Sequence, residues 1–443
     1  MTTPIYDFLT AYRDRGGVRL HMPGHKGKGP LGIEALDITE VKGADVLGEA
    51  TGIIGESEAN AASLFGSGIT LYTTGGSTAA ILGMLSLAVT HLRTKERPTL
   101  LAARNAHRAF LEGAALLDIP VTFMLPENAK TVYSGVMTSE EVEKAILSAE
   151  AKPFALYITS PTYLGEMWDI AAVADVCRKH DIPLLVDNAH GAYLAFLSPS
   201  QHPIRLGAAM CTDSAHKTLP VLTGGAYLHI AKEYSYLYSD AKEALSLVTS
   251  TSPSYLVLAS LDLANRTLAD GYRERLCEIC ARVALCKKRI EEMGFCVLPS
   301  EPLKIVIAAG NTETLANALR TSDIEPEMCD DLHLVFMASA DNEVSDFDKL
   351  ERALSRFAPI APAFEKAPTP RLGKAVTSLR TALFSQRERI ATRDAVGRVY
   401  AEIAASCPPA VPIVIAGEEI DVAAVEALLY YGIEQVRVLT DHP

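Results

Sequence analysis

Short apolar runs alternate with amphipathic segments between residues 69 and 230, and this alternation constrains the fold more than any other feature. Apolar runs of this length suit buried strands, and the amphipathic segments between them suit helices that cover a sheet. The pattern therefore predicts an α/β fold whose large domain has a mainly parallel sheet. The strands are predicted at 99–103, 121–125, 155–159, 182–187, 208–213 and 226–230, and two of the helices at 139–150 and 171–180.

The pattern changes after residue 250. A long helical stretch is predicted over 254–293, followed by a smaller α+β region with strands at 304–309 and 333–338 and a helix at 344–357. The Pro-rich segment 358–370 is typical of a linker, and a last helix is predicted near 387–405. The expected domains are an N-terminal arm (1–60), a large domain (61–250), a small α+β domain (251–365) and a C-terminal α+β domain (366–443).

Charge and composition exclude several classes of function. The net charge of −13 repels polyanions, so nucleic acid is not an expected partner. The N-terminus lacks the apolar core of a secretory signal and no stretch is suited to spanning a bilayer, so we expect a cytoplasmic protein without a membrane partner. Cys277 and Cys280 form one C-x-x-C spacing in a helical pattern without a second pair, which favours buried thiols, and no metal is expected.

Lys217 is the first candidate for chemistry. It follows an apolar strand, stands beside His216, and precedes a proline and two glycines, which is an unusual setting for a solvated surface lysine. An enclosed lysine can have its pKa lowered and act as an amine nucleophile toward an aldehyde. Taken alone this signal is weak, because most lysines are solvated.

Asp187 is the second candidate. It ends the apolar run IPLLV, and the carboxyl ends of parallel strands face the crevice in which ligands of open α/β sheets bind. The alternative is an aspartate that caps a turn between a strand and a helix.

A third element, LYTTGGSTAAILGML at 71–85, places Gly75, Gly76, Ser77 and Thr78 between a strand-like run and an apolar helix. Helix N-terminal amides, glycines and hydroxyl groups suit a phosphate, although a capped helix is the simpler alternative. A phosphate site, an aspartate and a lysine are together what pyridoxal 5'-phosphate requires.

Seven segments with these residues resemble the Orn/Lys/Arg decarboxylases, pyridoxal-phosphate enzymes of fold type I. The segments occur in the family's order and cover nearly the whole chain, and DSAHKTLPVLTGGA is the most specific of them. They are HMPGHKGKG (21–29), TTGGSTAAI (73–81), ARNAHRA (103–109), SPTYLGE (160–166), VDNAHGAYL (186–194), DSAHKTLPVLTGGA (213–226) and CPPAVPIVIAGEEI (407–420).

The resemblance implies a role for each matching residue. Lys217 is the Schiff-base lysine, Asp187 the partner of the pyridine nitrogen, and His190 lies near the reacting carbon. His107 stacks on the cofactor ring, and Ala189 packs on its opposite face, although His107 alone also suits a satisfied histidine at a strand end. The implied phosphate ligands are Gly76, Ser77, Thr78, Ser214 and His216, and the implied substrate contacts are Glu418, His25 and Lys26. An exposed turn glutamate is the alternative for Glu418, and a role in shaping a turn is the alternative for His25 and Lys26.

The chain departs from the family at four positions. Asn188 replaces a common acidic residue, Tyr193 a frequent histidine, and Cys407 and Ala410 an aromatic residue and a glycine. The large inducible decarboxylases carry an N-terminal wing that we do not expect in this protein, so we expect the compact biosynthetic-type subgroup to be the more similar one.

The implied activity is decarboxylation of arginine, lysine or ornithine to an amine, by a homodimer or larger homo-oligomer. The alternatives are another fold type I enzyme, such as an aminotransferase or lyase, and a non-catalytic regulator that binds the cofactor or a polyamine. An aminotransferase would normally hold the substrate carboxylate with an arginine, and no motif marks one.

Overall fold

A computed structural model describes residues 1–364, 367–403 and 411–440. The chain forms two compact units. The first contains Met1–Leu92 and Pro183–Leu276, and the second contains Arg93–Ile182 and Cys277–Pro443. The domain boundaries expected from the sequence stay predictions.

Thirteen strands are found among the described residues. They are β1 (Ile69–Thr73), β2 (Leu100–Ala103), β3 (Val121–Met124), β4 (Ala155–Thr159), β5 (Leu184–Asp187), β6 (Met210–Asp213), β7 (Ala226–Ile230), β8 (Cys296–Leu298), β9 (Lys304–Ala308), β10 (Met328–Cys329), β11 (His333–Met337), β12 (Arg387–Ala391) and β13 (Gln435–Leu439). All the strands predicted from the apolar runs are present, most of them one or two residues shorter than expected.

The described residues also form fourteen α-helices. They are α1 (Pro4–Asp14), α2 (Ile53–Phe65), α3 (Gly76–Leu92), α4 (Arg108–Leu116), α5 (Ser139–Ser148), α6 (Ile170–Lys179), α7 (Ala215–Thr218), α8 (Tyr238–Ser246), α9 (Tyr255–Ala269), α10 (Tyr272–Glu292), α11 (Thr312–Arg320), α12 (Val344–Leu354), α13 (Leu379–Phe384) and α14 (Val422–Tyr430). Four short 3₁₀ helices lie at Ala192–Phe196, Pro203–Leu206, Lys232–Leu237 and Thr392–Asp394.

The first unit holds strands in the order β1-β7-β6-β5. Strands β5 and β6 are parallel, with Asp187 opposite Thr212, whereas β7 is antiparallel to both β6 and β1. Every residue of β5, β6 and β7 is buried, and α3 packs against β6 and β7, which explains why these strands are apolar on both faces. The parallel pair β5 and β6 ends at one edge, where the chain continues into the candidate site.

The described residues of the second unit hold three groups of paired strands. Strands in the order β4-β2-β3 are parallel, as the sequence predicts. A four-stranded antiparallel sheet has the order β10-β11-β9-β8, and β12 pairs with β13 as a separate antiparallel ribbon. The predicted α/β architecture with smaller α+β regions is confirmed.

Two helix predictions need correction. The helix expected near 387–405 is wrong, because Arg387–Ala391 forms β12, with Arg389 opposite Arg437 of β13. Cross-strand pairing to a segment more than forty residues away along the chain decides this structure, and no local pattern reports it. The single helical stretch predicted over 254–293 is divided into α9 and α10, and Gly271 between them has φ +67°.

The prediction of buried thiols at the C-x-x-C pair is also wrong. Cys277 is exposed and Cys280 is half-buried, because only one side of α10 is covered by other residues. The described chain contains no helix with the length and apolar character needed to cross a bilayer.

Candidate active site

Lys217 lies in the short helix α7, which follows strand β6. Its Nζ is 2.9 Å from Nε2 of His190, in the segment that follows β5. Because β5 and β6 are parallel neighbours, the chain leaves both strands at the same edge of the sheet. Lys217 is half-buried and His190 is buried, so the lysine is partly enclosed, as its sequence setting predicted.

Asp187 is the last residue of β5 and is only 1% exposed. Its Oδ1 accepts a hydrogen bond from the backbone N–H of the half-buried Ala189, at 3.1 Å. This is the turn contact that the capping interpretation predicts. It is compatible with a role toward a cofactor, because a carboxylate accepts hydrogen bonds at both of its oxygens.

Gly224 and Gly225 connect the start of α3 to α7 through backbone hydrogen bonds. The N–H of Gly76, where α3 begins with φ +69°, donates to the carbonyl of Gly224 at 2.8 Å. The carbonyl of the next residue, Gly225, accepts from the N–H of His216 at 3.2 Å and lies 3.0 Å from its Nδ1. A Cβ at Gly224, where φ is +96°, would lie 2.9 Å from the carbonyl oxygen of Thr74. The close approach of the two segments therefore requires glycine at this position.

The donors gathered here fit a phosphate group. The Oγ of Ser214 is buried and has no hydrogen-bond partner among the described residues. Ser77 and Thr78 lie in the first turn of α3, and the first amides of a helix have no acceptor within the helix. Burial lowers the pKa of His216, and the nearby Lys217 lowers it further. Hydroxyl groups and helix amides are suitable partners for the phosphate of pyridoxal phosphate.

A buried polar network supports the end of β6, and sequence reasoning missed it. Oδ2 of Asp213 lies 3.0 Å from Nε2 of His202 and 3.1 Å from Nε2 of His229, and its Oδ1 accepts from Nδ2 of Asn188 at 2.7 Å. Burial raises the pKa of Asp213, but the two imidazoles lower it by more, so the group stays ionised. The available signal was Asp213 itself, an ionisable residue that ends an apolar strand.

His107 belongs to the second unit. It is the N-cap residue of α4, and its Nδ1 accepts from the backbone N–H of Ala109 at 3.1 Å. The side chain is half-buried. Stacking of His107 on a cofactor ring stays a prediction.

Glu418, also in the second unit, is buried at 5% exposure, so its interpretation as an exposed turn residue is wrong. Its carboxylate accepts from the N–H of Ile415 at 2.8 Å and of Gly373 at 3.2 Å, and Nη2 of the buried Arg104 lies 3.5 Å away. These donors hold the side chain inside the unit because a buried carboxylate needs partners. A substrate contact by Glu418 stays a prediction.

His25 and Lys26 lie in a turn-rich part of the first unit. Nε2 of His25 is 3.1 Å from Oδ2 of Asp37, and its Nδ1 accepts from the N–H of Gly27 at 3.0 Å. Lys26 is exposed, has φ +54°, and donates through Nζ to the carbonyl of His21 at 2.6 Å. These contacts agree with the turn interpretation, and a role toward substrate stays a prediction.

The structure accounts for one of the four departures from the family. At Asn188 an amide donates to Asp213, whereas a carboxylate there would face a second carboxylate. Tyr193 is fully buried in the 3₁₀ helix Ala192–Phe196. Cys407 and Ala410 lie outside the described residues.

Comparison with known proteins identifies the family. The family model "Orn/Lys/Arg decarboxylase, major domain" matches residues 3–307. The chain is 27% identical to the uncharacterized protein YaaO of Bacillus subtilis over 97% of this chain and 94% of that protein. It is 28% identical to an arginine decarboxylase of Halalkalibacterium halodurans over 94% of this chain and 90% of that enzyme.

The fold is similar to that of solved decarboxylase structures. The constitutive lysine decarboxylase of Escherichia coli superimposes with a TM-score of 0.79 at 20% identity, over 99% of this chain and 82% of that one. The α/β fold is that of pyridoxal-phosphate enzymes of fold type I, as the sequence motifs implied. The family match, which covers more than half of the chain, and the likeness of the fold lead to one conclusion: this chain belongs to the Orn/Lys/Arg decarboxylase family.

Proposed function

We propose that this protein is a pyridoxal-phosphate-dependent decarboxylase of a basic amino acid, acting in the cytoplasm as a homodimer or larger homo-oligomer and supplying amines to polyamine metabolism. The observation that carries the proposal is the contact between Lys217 and His190 at the edge of the sheet that also holds Asp187 and Ser214. Arginine is the first substrate to test, because several curated relatives at 28% identity are named arginine decarboxylases.

In this proposal each group of residues would hold one part of the cofactor. Lys217 would bind the aldehyde carbon, Asp187 would pair with the ring nitrogen, and His107 and Ala189 would contact the ring. Ser214, His216 and the first turn of α3 would hold the phosphate. When bound, pyridoxal phosphate accepts the electron pair that remains when a carboxylate leaves as carbon dioxide.

The residues of the chain then control the proton. Nζ of Lys217 and Nε2 of His190 are 2.9 Å apart, so one proton can be shared between them and returned to the Cα of the substrate. Partial burial keeps water away from this pair, which favours return of the proton from a fixed donor. Decarboxylation further requires that the site hold the substrate carboxylate where it is poorly solvated.

A product assay tests the reaction. The purified protein, with pyridoxal phosphate added, is incubated with arginine, lysine or ornithine, and carbon dioxide and the matching amine are measured. We expect agmatine from arginine, or the corresponding diamine from another substrate. A keto acid without carbon dioxide would assign the protein to transamination, and the absence of turnover with any amino acid would favour a non-catalytic regulator.

Chemical trapping tests the cofactor site independently of turnover. Borohydride reduction of the holoenzyme followed by peptide mapping is expected to place the reduced cofactor on Lys217. A label on any other lysine, or no label, would overturn the assignment of the site.

A further inference from the structure

An acidic cavity lined by tyrosines lies within the second unit. It has a volume of about 240 Å³, roughly that of eight water molecules at ~30 Å³ each, and it is lined by side chains from three separated segments. No lysine or arginine lines it within the described part of the chain. The polar and aromatic lining residues are Tyr133, Tyr430, Tyr431, Asp330, Asp331 and His333.

The aromatic wall suits an organic cation. The rings of Tyr430 and Tyr431 are nearly perpendicular, with centroids 5.0 Å apart, and both side chains are half-buried. Burial raises the pKa of Tyr430, and the nearby carboxylates of Asp331 and Asp330 raise it further. Aromatic faces attract ammonium and guanidinium groups, and the attraction increases when a carboxylate is near.

The two aspartates differ in what they can offer a ligand. Asp330 is held in place, because its Oδ2 accepts from the hydroxyl of Tyr133 at 2.6 Å and its Oδ1 from the N–H of His333 at 2.6 Å. His333 Nδ1 also lies 3.1 Å from Oδ1 of Asp330, whereas Asp331 is exposed and no described residue pairs with its carboxylate. Asp330 therefore contributes to the negative potential of the cavity, and the carboxylate of Asp331 is available to pair with a cation.

We propose that this cavity is a second ligand site, specific for the amine product and not for the amino acid substrate. The inference rests on the proposed decarboxylation. Removal of the carboxylate converts a zwitterionic basic amino acid into an amine with two cationic ends. Asp331 can pair with one cationic end, and the negative potential of Asp330 favours a cation over an anion in the cavity, whereas both carboxylates repel the carboxylate of the substrate. The cavity therefore distinguishes the amine product from the amino acid substrate.

Calorimetry on the intact holoenzyme tests this site. Borohydride reduction first blocks exchange at Lys217, so that amines cannot bind there covalently. Agmatine, 1,4-diaminobutane and 1,5-diaminopentane are then titrated in turn, and arginine, ornithine and lysine serve as the matched substrates. We expect at least one amine to bind with one site per chain and at least tenfold more tightly than its parent amino acid, with affinity falling as salt rises.

Two variants locate the binding. Asp331→Asn is expected to weaken amine binding about fivefold, and Tyr430→Ala by a similar factor, because each removes one attraction to the cation. Asp341→Asn is the control, since it neutralises an exposed aspartate of the same unit outside the cavity and should leave the affinity unchanged.

Equal affinity in Asp331→Asn and Asp341→Asn would overturn the proposed site, as would equal binding of amines and amino acids or no amine binding at all. The proposed reaction fails separately. Amine binding that depends on Asp331 in a protein that releases no carbon dioxide would overturn the reaction and leave a cation site. Carbon dioxide release without amine binding would overturn only the cation site.

Discussion

The buried hydroxyl of Ser214 has no hydrogen-bond partner among the described residues, so the proposed site leaves it available to the cofactor phosphate. A hydrogen bond to a charged group contributes about 1.5–3 kcal/mol, so Ser214→Ala is expected to weaken pyridoxal-phosphate affinity roughly 10- to 100-fold. Equilibrium titration of the apoenzyme with the cofactor measures this change. Ser86→Ala, at a buried serine in the body of α3, should bind the cofactor normally. Unchanged affinity in Ser214→Ala would remove this residue from the phosphate site.

Asn188 supplies a second prediction at the same scale. Asn188→Asp restores a residue type common in the family, but it places a second carboxylate against Asp213 in a fully buried site. We expect a loss of about 3 kcal/mol in the free energy of unfolding at pH 8. The new carboxyl has a raised pKa in the folded state, so the loss should shrink as the pH falls and the group takes up a proton.

Denaturant unfolding at pH 8 and pH 6 measures both effects of the Asn188→Asp substitution. Asn128→Asp adds the same charge at an exposed position and should change stability by less than about 0.5 kcal/mol. If Asn188→Asp is as stable as the unsubstituted protein at pH 8, the contact with Asp213 does not explain this departure from the family.

At the scale of elements, one carboxylate joins helices α1 and α9. Asp262 of α9 accepts from the backbone N–H groups of Ile5 and Tyr6 at 2.9 and 3.0 Å, and from the hydroxyl of Ser57 at 2.6 Å. The first amides of α1 have no acceptor within their helix, so Asp262 satisfies donors that burial would otherwise leave unpaired. Burial raises the pKa of Asp262 from 3.8 to about 6, although Ser57 and the two amides oppose the shift.

This raised pKa predicts a pH dependence with a defined sign. Between about pH 4 and pH 6 the folded state binds a proton that the unfolded state does not, so the contribution of Asp262 to stability grows as the pH falls and is lost as the pH rises through 6. Asp262→Asn removes this titration. Asp262 is fully buried, so the stability of the unsubstituted protein relative to Asp262→Asn should increase by about 2 kcal/mol from pH 7 to pH 4.

Unfolding midpoints across that pH range test the Asp262 prediction, with Asp341→Asn as an exposed aspartate control. A constant difference between Asp262→Asn and the unsubstituted protein would show that the pKa of Asp262 is the same in the folded and unfolded states. A difference that moves in the opposite direction would show that its pKa in the folded state is depressed.

At the scale of the whole molecule, large apolar side chains are exposed along the N-terminal segment. Leu20 is 92% exposed and Leu31 is 77% exposed, and Val18 and Met22 are also exposed. Contiguous exposed apolar side chains mark a surface that a partner covers. Because the resemblance implies a homodimer, this segment is the expected contribution of each chain to the interface.

Light scattering is expected to give a native mass of at least twice the 47.6 kDa chain. The double variant Leu20→Asp with Leu31→Asp should shift the mass toward that of one chain, because forming the interface would then bury two unpaired carboxylates per chain. Leu147→Asp, at an exposed leucine of α5, is the matched control. A monomer before substitution, or a double variant with unchanged mass, would contradict this role of the segment.

Short stretches of sequence were enough to predict most of the strands and to propose the residues of the candidate site. The apolar runs predicted the strands because a strand that is buried on both faces is apolar at nearly every position. The string around Lys217 and the segment after Asp187 predicted two residues that the structure places at one sheet edge. These signals are local, since each depends on neighbours along the chain or on the shared direction of parallel strands.

Tertiary contacts decided what local patterns do not contain. Asp213 contacts His202 and His229 because the fold brings separate segments together next to β6. Glu418 is stable in its buried position because Arg104, from a segment distant along the chain, and two backbone amides contact its carboxylate. The strand at Arg387–Ala391 exists because a partner strand lies beside it. The amino-acid sequence alone determined the fold class and the family, and it predicted the site residues. Burial and partners were decided by the folded structure, because both depend on segments that are distant along the chain.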